Sequence, residues 1–324
     1  MGENIRPRIY CSRCLEFDHC RYDGSQIGSE IVRNLRDNAE ILHECPEMGI
    51  GLGVPRKPVK VYEDDTGYHL YQTSTDRDHT DKMVSFVDNL LNGLNDIDGF
   101  ILKAKSPSCG LDDVKIYASK EKGKQKRMGS GFLGMEVQKR FENLAVETEK
   151  RLLDDRIRDH FLTKLYTNAR FREVKRSGKP KDLIEFHARS KFLLMAYSQS
   201  TMREMGRIVS NQKETGIGEA IKQYEQLLGK ALSKGPDYTS HINVMMHCFG
   251  YVSSELSKDE KDFFMDSLDL YRDDRIPLTT LKSMINSWIL RFKVKYLLDQ
   301  YYFEPYPVEL IRSIDGKRER ELWK

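Results

Sequence analysis

Three short segments of this 324-residue chain combine thiols with hydroxyl or carboxyl groups: Ser106–Gly110, Cys45–Glu47 and Cys11–Cys14. They read Ser-Pro-Ser-Cys-Gly, Cys-Pro-Glu and Cys-Ser-Arg-Cys. Thiolates are ligands for soft metals, and a carboxylate can act as a general acid or base. These residue types therefore predict metal-assisted chemistry, with Cys109 and its neighbours at the centre.

A short apolar run that predicts a buried strand precedes each of these segments. The runs are Phe100–Leu102 before Ser106–Gly110, Ile41–Leu42 before Cys45, and the stretch from Tyr10 to Leu15 that carries Cys11 and Cys14. Open α/β sheets place their ligands at the carboxyl ends of their strands. We therefore expect the three strand ends to bring three thiols to one point.

The elements between these strands show helical periodicity. Apolar residues recur at steps of three and four over 27–35 and 83–94, which predicts helices alternating with the strands. This alternation indicates an α/β N-terminal domain, Rossmann-like, with a mainly parallel sheet. From about Met135 the pattern is helical throughout. We predict an α/β domain over residues 1–155 and an all-α domain over residues 156–324.

The charge of the chain is divided unevenly. Residues 1–159 carry 25 Lys and Arg against 28 Asp and Glu, a net charge of −3, whereas residues 160–324 carry 28 against 22, a net charge of +6. The basic surplus is densest between residues 160 and 191, and it includes Arg172, Lys175, Arg176 and Lys191. Such a patch can neutralise phosphates, which predicts nucleic-acid binding. A solvated helical face is an equal alternative if charge alone is considered.

Composition excludes several classes of protein. No apolar run approaches the roughly 18 residues that a membrane span needs, so no membrane role is expected. The first residues contain no apolar signal core, so we expect a cytoplasmic protein whose six cysteines are reduced or bind metal. Neither a dinucleotide-binding Gly-x-Gly-x-x-Gly nor a second Cys or His pair at zinc spacing is present. The compact ferredoxin spacing is also missing, although thiols far apart in sequence can still hold a cluster.

Four separated blocks carry a family resemblance over roughly the first 150 residues. In order, Cys14–Gly24, Cys45–Glu47, Pro55–Arg56 and Lys105–Gly110 resemble the thiouracil desulfurase (TudS-like) family. Residues from about 160 to 316 are similar to the YbgA-type helical domain, through blocks such as Phe186–Lys191 and Gln300–Pro307. The combination resembles the RudS-type RNA desulfidases, which remove sulfur from 4-thiouridine in transfer RNA.

This resemblance implies a cofactor and a set of roles. It implies a 4Fe-4S cluster held by Cys14, Cys45 and Cys109, with one iron that lacks a protein ligand and polarises the thiocarbonyl sulfur. Glu47 would be the general base on a water, and Ser106 would hydrogen-bond the substrate or pass a proton. The products would be uridine and hydrosulfide.

The remaining expectations concern binding and partners. Residues expected to contact the substrate are Ser108, Arg56, Arg172, Lys175, Arg176 and Lys191. We expect thiolated tRNA as the partner and leave the oligomeric state open, with a monomer as the working assumption. Two alternatives stay open, namely a desulfurase acting on free thiouracil bases and a non-enzymatic metal-binding RNA module. Neither the preferred tRNA position nor a role for Cys11 or Cys20 follows from the sequence.

Overall fold

The structure is a computed structural model that describes residues 5–120 and 124–311. The outer ends of the two predicted domains, residues 1–4 and 312–324, lie outside the described residues, as do residues 121–123. The described chain divides into two compact units. We call the part up to Ala169, together with the segment from Tyr306 onward, the sheet unit, and residues 170–305 the helical unit.

Among the described residues of the sheet unit, nine strands form two sheets. They are β1 (Arg8–Ser12), β2 (Glu40–Glu44), β3 (Lys60–Asp64), β4 (Gly67–Gln72), β5 (Arg77–Asp78), β6 (Gly99–Leu102), β7 (Val114–Tyr117), β8 (Gln125–Gly129) and β9 (Ala145–Thr148). The first sheet is wholly parallel, with the order β2-β1-β6-β9. Its register pairs Ser12 with Glu44 and Leu102 with Thr148, so the four strands end at one edge. The second sheet has the order β5-β4-β3-β7-β8 and is mostly antiparallel.

Eleven helices lie among the described residues. They are α1 (Glu30–Leu35), α2 (Pro46–Gly49), α3 (Thr80–Asn92), α4 (Phe132–Arg140), α5 (Asp155–Ser177), α6 (Pro180–Thr215), α7 (Ile217–Ala231), α8 (Tyr238–Gly250), α9 (Lys258–Arg272), α10 (Leu278–Phe292) and α11 (Lys295–Leu298). Helix α5 begins at Asp155, where the domain boundary is predicted, and its last part, from Arg170, belongs to the helical unit. None of the helices within residues 5–120 and 124–311 is long and apolar enough to cross a membrane.

The parallel sheet is covered on both faces, as its continuous apolar strands require. Side chains alternate along β1, so Ile9 and Cys11 pack with α1 and the start of α5 in one core. Tyr10 and the β6 residue Phe100 pack with α3 and α4 in the other core. The α/β fold followed by an all-α region is confirmed. The second sheet is an addition that the sequence analysis did not predict.

The helical unit has a core of its own. It is built around α6, a 36-residue helix that begins with Pro180 at its first turn and is kinked at Ser198, where φ is −162° and ψ is 101°. Proline suits a first helical turn because its missing N–H has no intrahelical partner there. Buried residues of α6, α7, α8 and α10, such as Phe192, Tyr224 and Ile285, form one apolar cluster. This cluster lies wholly within residues 171–302.

Candidate active site

A cavity of about 270 Å³ opens at the carboxyl edge of the parallel sheet, and four cysteines line it. Cys14 follows β1, Cys45 lies between β2 and α2, and Cys109 follows β6. The expected convergence of these three strand ends is therefore observed. The fourth cysteine, Cys20, lies on the segment after β1 and is 1% exposed.

Cys20 joins two of the predicted ligands. Its thiol hydrogen-bonds with Cys14, which raises the pKa of Cys20 to about 11. A hydrogen bond with Cys20 and burial raise the pKa of Cys45 well above its usual range. Cys20 and Cys45 are thus held in the protonated form, and Cys45 can act as a thiolate only where a positive centre offsets its charge.

Hydroxyl groups surround the third predicted ligand. Burial raises the pKa of Cys109 to about 12, while side-chain hydrogen bonds from Ser12 and Ser106 act in the opposite direction. Ser12 also accepts a hydrogen bond from the backbone N–H of Lys103 at 2.9 Å, which fixes the β1 and β6 ends against each other. Two donors therefore point at the sulfur atom where a thiolate would need them.

The turn that carries Cys109 is held by the start of α4. The Leu133 N–H donates to the Ser108 carbonyl at 2.7 Å, and the Gly131 N–H donates to the Gly110 carbonyl at 2.9 Å. A Cβ atom at Gly134 would lie 2.1 Å from the Gly110 carbonyl oxygen, so only glycine allows this close approach. The thiol is thereby fixed by main-chain contacts on a rigid helix.

Cys11, the first cysteine of the Cys-x-x-Cys pair, does not line the cavity. It lies inside β1, is 1% exposed and packs in the core that includes Ile9. Burial raises its pKa well above the usual range for a thiol. The strand alternation thus directs Cys11 into the core and leaves Cys14, beyond the strand end, at the cavity.

Glu47 is held by a network of buried groups. The Ser108 hydroxyl donates to Oε1 of Glu47 at 2.9 Å. Arg56 donates to Oε2 through Nε at 2.8 Å and through Nη2 at 2.7 Å. A carboxylate offers about four acceptor positions, and these three donors leave one position, on Oε1, that faces no donor within the described part of the chain. That position can orient a water molecule.

Arg56, which is expected to contact the substrate, lines the cavity and contacts several neighbouring groups. Its side chain is 4% exposed, and Nη1 donates to the carbonyl oxygens of Cys20 and Gly53 at 2.9 and 3.0 Å. Together with Glu47, these acceptors engage every nitrogen of the guanidinium group. Arg56 is therefore placed to position Glu47, and these contacts use four of its five N–H groups.

The two serines also have defined places. The Ser106 hydroxyl accepts hydrogen bonds from the backbone N–H groups of Ser108 and Cys109 at 3.3 and 3.2 Å, which is the contact pattern of a turn-stabilising hydroxyl. Both serines line the cavity. Their expected contacts with a substrate stay predictions.

The basic residues expected to bind RNA lie in the helical unit. Arg172 is 7% exposed and its Nε donates to Glu173, so it is not a presented phosphate contact. Lys175 is exposed but pairs with Glu225 at 2.6 Å, and Arg176 pairs with Glu173 at 3.0 Å. Arg172, Lys175 and Arg176 are therefore matched with acidic groups, whereas Lys191 is half-buried on α6. Charge counts along the sequence do not reveal such pairing.

The cavity also contains residues that the sequence analysis missed. Besides Ser12 and Cys20, they include Lys103, Lys105 and Lys150. Lys103 and Glu149 form an ion pair of 2.6 Å at the adjacent ends of β6 and β9. For Lys103 and Lys105, the signal that could have found them is their position after the predicted strand Phe100–Leu102, at the same edge as the thiols. Lys150 follows β9, which lies in a region that the sequence analysis predicted to be helical.

The donor set fits an iron–sulfur cluster. Within residues 5–120 and 124–311, no group of three or more His, Cys, Asp or Glu side chains is arranged to hold a single metal ion. The cavity nevertheless offers sulfur donors from three separate strand ends. A cluster binds each thiolate at a different iron, so its ligands stand farther apart than the ligands of one ion. Cys14, Cys45 and Cys109 are thus the residues that could hold such a group.

Comparisons with known proteins divide the chain in the same way. A family model described as 2-thiouracil desulfurase matches residues 9–149, and a model described as a protein of unknown function (DUF1722) matches residues 191–307. The uncharacterized protein YbbK of Bacillus subtilis is 35% identical over 130 residues, which cover 38% of this chain and 84% of that protein.

A second relative and a solved structure also resemble parts of the chain. The uncharacterized protein YbgA of Escherichia coli is 26% identical over 154 residues, which cover 47% of this chain and 91% of that protein. A solved structure described as a [4Fe-4S]-dependent thiouracil desulfidase, TudS, is 26% identical and matches with a TM-score of 0.36, over 46% of this chain and 94% of that one.

Proposed function

The chain belongs to the 2-thiouracil desulfurase family through residues 9–149, and from this premise we propose that it removes sulfur hydrolytically from thiolated uridine, 4-thiouridine, in tRNA. One observation carries the proposal. The cavity that is lined by Cys14, Cys45 and Cys109 also contains Glu47 on a fixed network of donors. In the reaction, water replaces the thiocarbonyl sulfur, so that uridine and hydrosulfide form without any change of oxidation state.

Three cysteines would hold the cofactor, a 4Fe-4S cluster, whose open iron supplies a thiophilic Lewis acid. The hydroxyl groups of Ser12 and Ser106 donate to the Cys109 sulfur and would stabilise it as a thiolate. The deep burial of Cys109 and Cys20 excludes bulk water from this end of the cavity.

Glu47 is the proposed general base. The open acceptor position on its Oε1 orients the attacking water and takes its proton, while Ser108 and Arg56 keep the carboxylate from rotating. The same carboxyl group then returns a proton to the ring nitrogen or to the departing sulfur. The single hydroxyl proton of Ser106 is donated to the Cys109 sulfur, so in this proposal Ser106 supports that ligand.

The second candidate is desulfuration of the free base, favoured by the description of the matched family. The helical unit, with its net basic sequence, favours the tRNA substrate, since neutralised phosphates contribute most of the affinity for nucleic acid. Relative rates on 2-thiouracil, on the 4-thiouridine nucleoside and on thiolated tRNA distinguish the two.

The test is purification without oxygen, followed by measurement of iron, sulfide and zinc content and of the thiouridine absorption band during incubation with thiolated tRNA. We expect an iron–sulfur absorption band, loss of the thiouridine band and release of hydrosulfide. A protein that contains zinc, or that binds tRNA without releasing sulfide, would contradict the proposal and support a metal-binding RNA module.

A further inference from the structure

Two exposed tyrosines of the helical unit contact each other. Tyr251, the residue that follows α8, is 46% exposed, and Tyr296, on α11, is 37% exposed. Their ring centroids are 5.5 Å apart, and the ring planes differ by 32°. Each ring also packs edge-on against the buried Phe192 of α6, at 6.2 and 6.1 Å. Phe192 therefore supports both rings at the surface, and we call Tyr251 and Tyr296 the tyrosine pair.

The tyrosine pair continues into an exposed face at the end of α8. Met246 and Gly250 are one helical turn apart, as are His247 and Tyr251, and all four residues are exposed. Apolar and aromatic side chains that lie together at a surface are typical of an interaction site. Methionine is common at such surfaces because its side chain adapts to the shape of a partner.

Gly250 gives this face a second, independent feature. Its backbone is α-helical, and a Cβ atom there would meet no other described element of the chain within 4 Å. Neither the backbone conformation nor the packing of the helix therefore requires glycine, although glycine destabilises a helix relative to alanine. A position without a side chain allows a ligand to approach the helix closely.

The segments that carry the tyrosine pair are free of acidic residues. Residues 238–254 and 276–298 contain no Asp or Glu, and the second segment carries four Lys and Arg residues. Two of these, Lys293 and Lys295, precede Tyr296 directly in the chain and are exposed. Neither has an ion-pair partner among residues 5–120 and 124–311. Their charge is therefore available to an anionic partner.

Exposed aromatic rings next to available cations fit the chemistry of unpaired RNA. Tyrosine rings stack on bases that are not paired, and lysines contact the phosphates on either side of such a base. Paired bases present only their edges in the grooves, so a stacking surface distinguishes loops, bulges and single-stranded ends from a continuous duplex.

We propose that the tyrosine pair binds an unpaired base of RNA, while Lys293 and Lys295 bind the neighbouring phosphates. This inference rests on the proposed function for the identity of the natural RNA, which is then the thiolated tRNA. Tyr301 and Tyr302, from the block that resembles the YbgA-type domain, are buried and cannot present a ring to a base.

The test measures the affinity of the full-length protein, purified without oxygen, for two labelled RNAs that contain no thiolated base. One is a hairpin with a single-stranded loop, and the other is a continuous duplex with the same number of phosphates. Tyr251→Leu/Tyr296→Leu removes both rings and keeps apolar side chains over Phe192. Gly250→Gln adds a side chain to the exposed face with a residue that favours helix.

Each change has a matched control in the same unit. Tyr238→Leu removes a tyrosine that is 52% exposed at the opposite end of α8. Gly218→Gln changes an exposed glycine of α7 whose Cβ position also has no described element within 4 Å. Thermal unfolding is measured for every variant.

We expect the wild type to bind the hairpin at least tenfold more tightly than the duplex, because stacking adds to the affinity for phosphates. The preference should disappear in Tyr251→Leu/Tyr296→Leu and in Gly250→Gln, and both controls should keep it. Gly250→Gln should not lower the unfolding temperature, so misfolding would not explain its loss of affinity. Lys293→Gln/Lys295→Gln should weaken the binding of both RNAs and reduce its dependence on salt.

Equal affinities of the wild type for hairpin and duplex would overturn the inference, as would a hairpin preference that survives in the tyrosine and Gly250 variants. Self-association of the wild type that is lost in Tyr251→Leu/Tyr296→Leu would also overturn it, and would assign the tyrosine pair to an interface between two copies of the chain. Neither RNA is a substrate, so these results are independent of desulfuration, and sulfide release from 4-thiouridine tests the proposed function separately.

Discussion

The sheet unit and the helical unit hold their polar groups in opposite ways. At the sheet edge, thiols, hydroxyls and a carboxylate face one cavity, and hydrogen bonds fix the orientation of each. In the helical unit, Lys175 and Arg176 are matched with carboxylates, and His187 and His241 are engaged by tyrosine hydroxyls. Reactive residue types therefore indicate a site only where the fold leaves them facing a shared space.

The largest expected effect separates cysteines of the two units. Cys109→Ala removes a proposed ligand, so we expect both cluster content and desulfuration to fall to background. Cys248→Ala is the control, because Cys248 is a buried core residue of the helical unit. It should keep cluster and activity, with some loss of stability. Iron analysis and sulfide release measure the result. Desulfuration by Cys109→Ala would contradict the proposal that Cys109 is a cluster ligand.

Glu47→Gln should separate chemistry from cofactor binding. The amide keeps the size of the side chain but cannot accept the proton of a water, so we expect turnover to fall by about 10²- to 10⁴-fold with unchanged iron content. The measurement is kcat on 4-thiouridine. Wild-type turnover in this variant would show that the network around Glu47 is structural.

Arg56→Met tests whether the buried ion pair between Arg56 and Glu47 in the sheet unit holds the Glu47 carboxylate in position. Removing Arg56 leaves the Glu47 carboxylate buried without a cationic partner, and we expect a loss of about 3–5 kcal/mol in the free energy of unfolding. Arg56→Met/Glu47→Gln should recover part of that loss, as a double-mutant cycle measures. Arg127→Met breaks an exposed pair with Glu63 and should have a much smaller effect on the free energy of unfolding. Equal losses in the two arginine variants would contradict this account.

The sequence predicted the three thiol-bearing strand ends because each one combines a short apolar run with a distinctive polar turn. It did not reveal the second sheet, since β8 reads Gln-Lys-Arg-Met-Gly and lacks strand periodicity. It also did not reveal that Arg172 is buried or that Arg56 pairs with Glu47. Burial and partnership depend on residues far apart in sequence, and local patterns contain no information about them.

A smaller effect is expected from the cations of the helical unit. Lys175→Glu/Arg176→Glu should raise KM for thiolated tRNA by about tenfold at low salt and leave KM for 4-thiouridine unchanged. Glu173→Gln/Glu225→Gln should have the opposite effect, because it releases the same two cations from their partners. Salt titrations of tRNA binding measure both. If neither pair of changes alters tRNA affinity, RNA does not contact this face.

The smallest effect on catalysis is expected at the buried histidines. Burial lowers the pKa of His187 to about 4, so the unfolded chain binds its proton near pH 6.5 and the folded chain binds it only near pH 4. The free energy of unfolding of the helical unit should have its full value above about pH 6.5 and should decrease as the pH falls towards 4. Trp288 fluorescence in a Trp323→Phe background reports this unfolding. His187→Gln should make the free energy of unfolding depend less on pH and should leave turnover at neutral pH unchanged.

The crossover topology of the parallel sheet has a consequence for biosynthesis. Cys14 and Cys109 are 95 residues apart in the chain (109 − 14), and β9, the last strand of the sheet, begins at Ala145. Contacts between such distant segments form late in folding, because the cost of closing the intervening loops must be met first. A nascent chain therefore exposes its thiols one at a time, and the complete donor set exists only after the α/β core has formed.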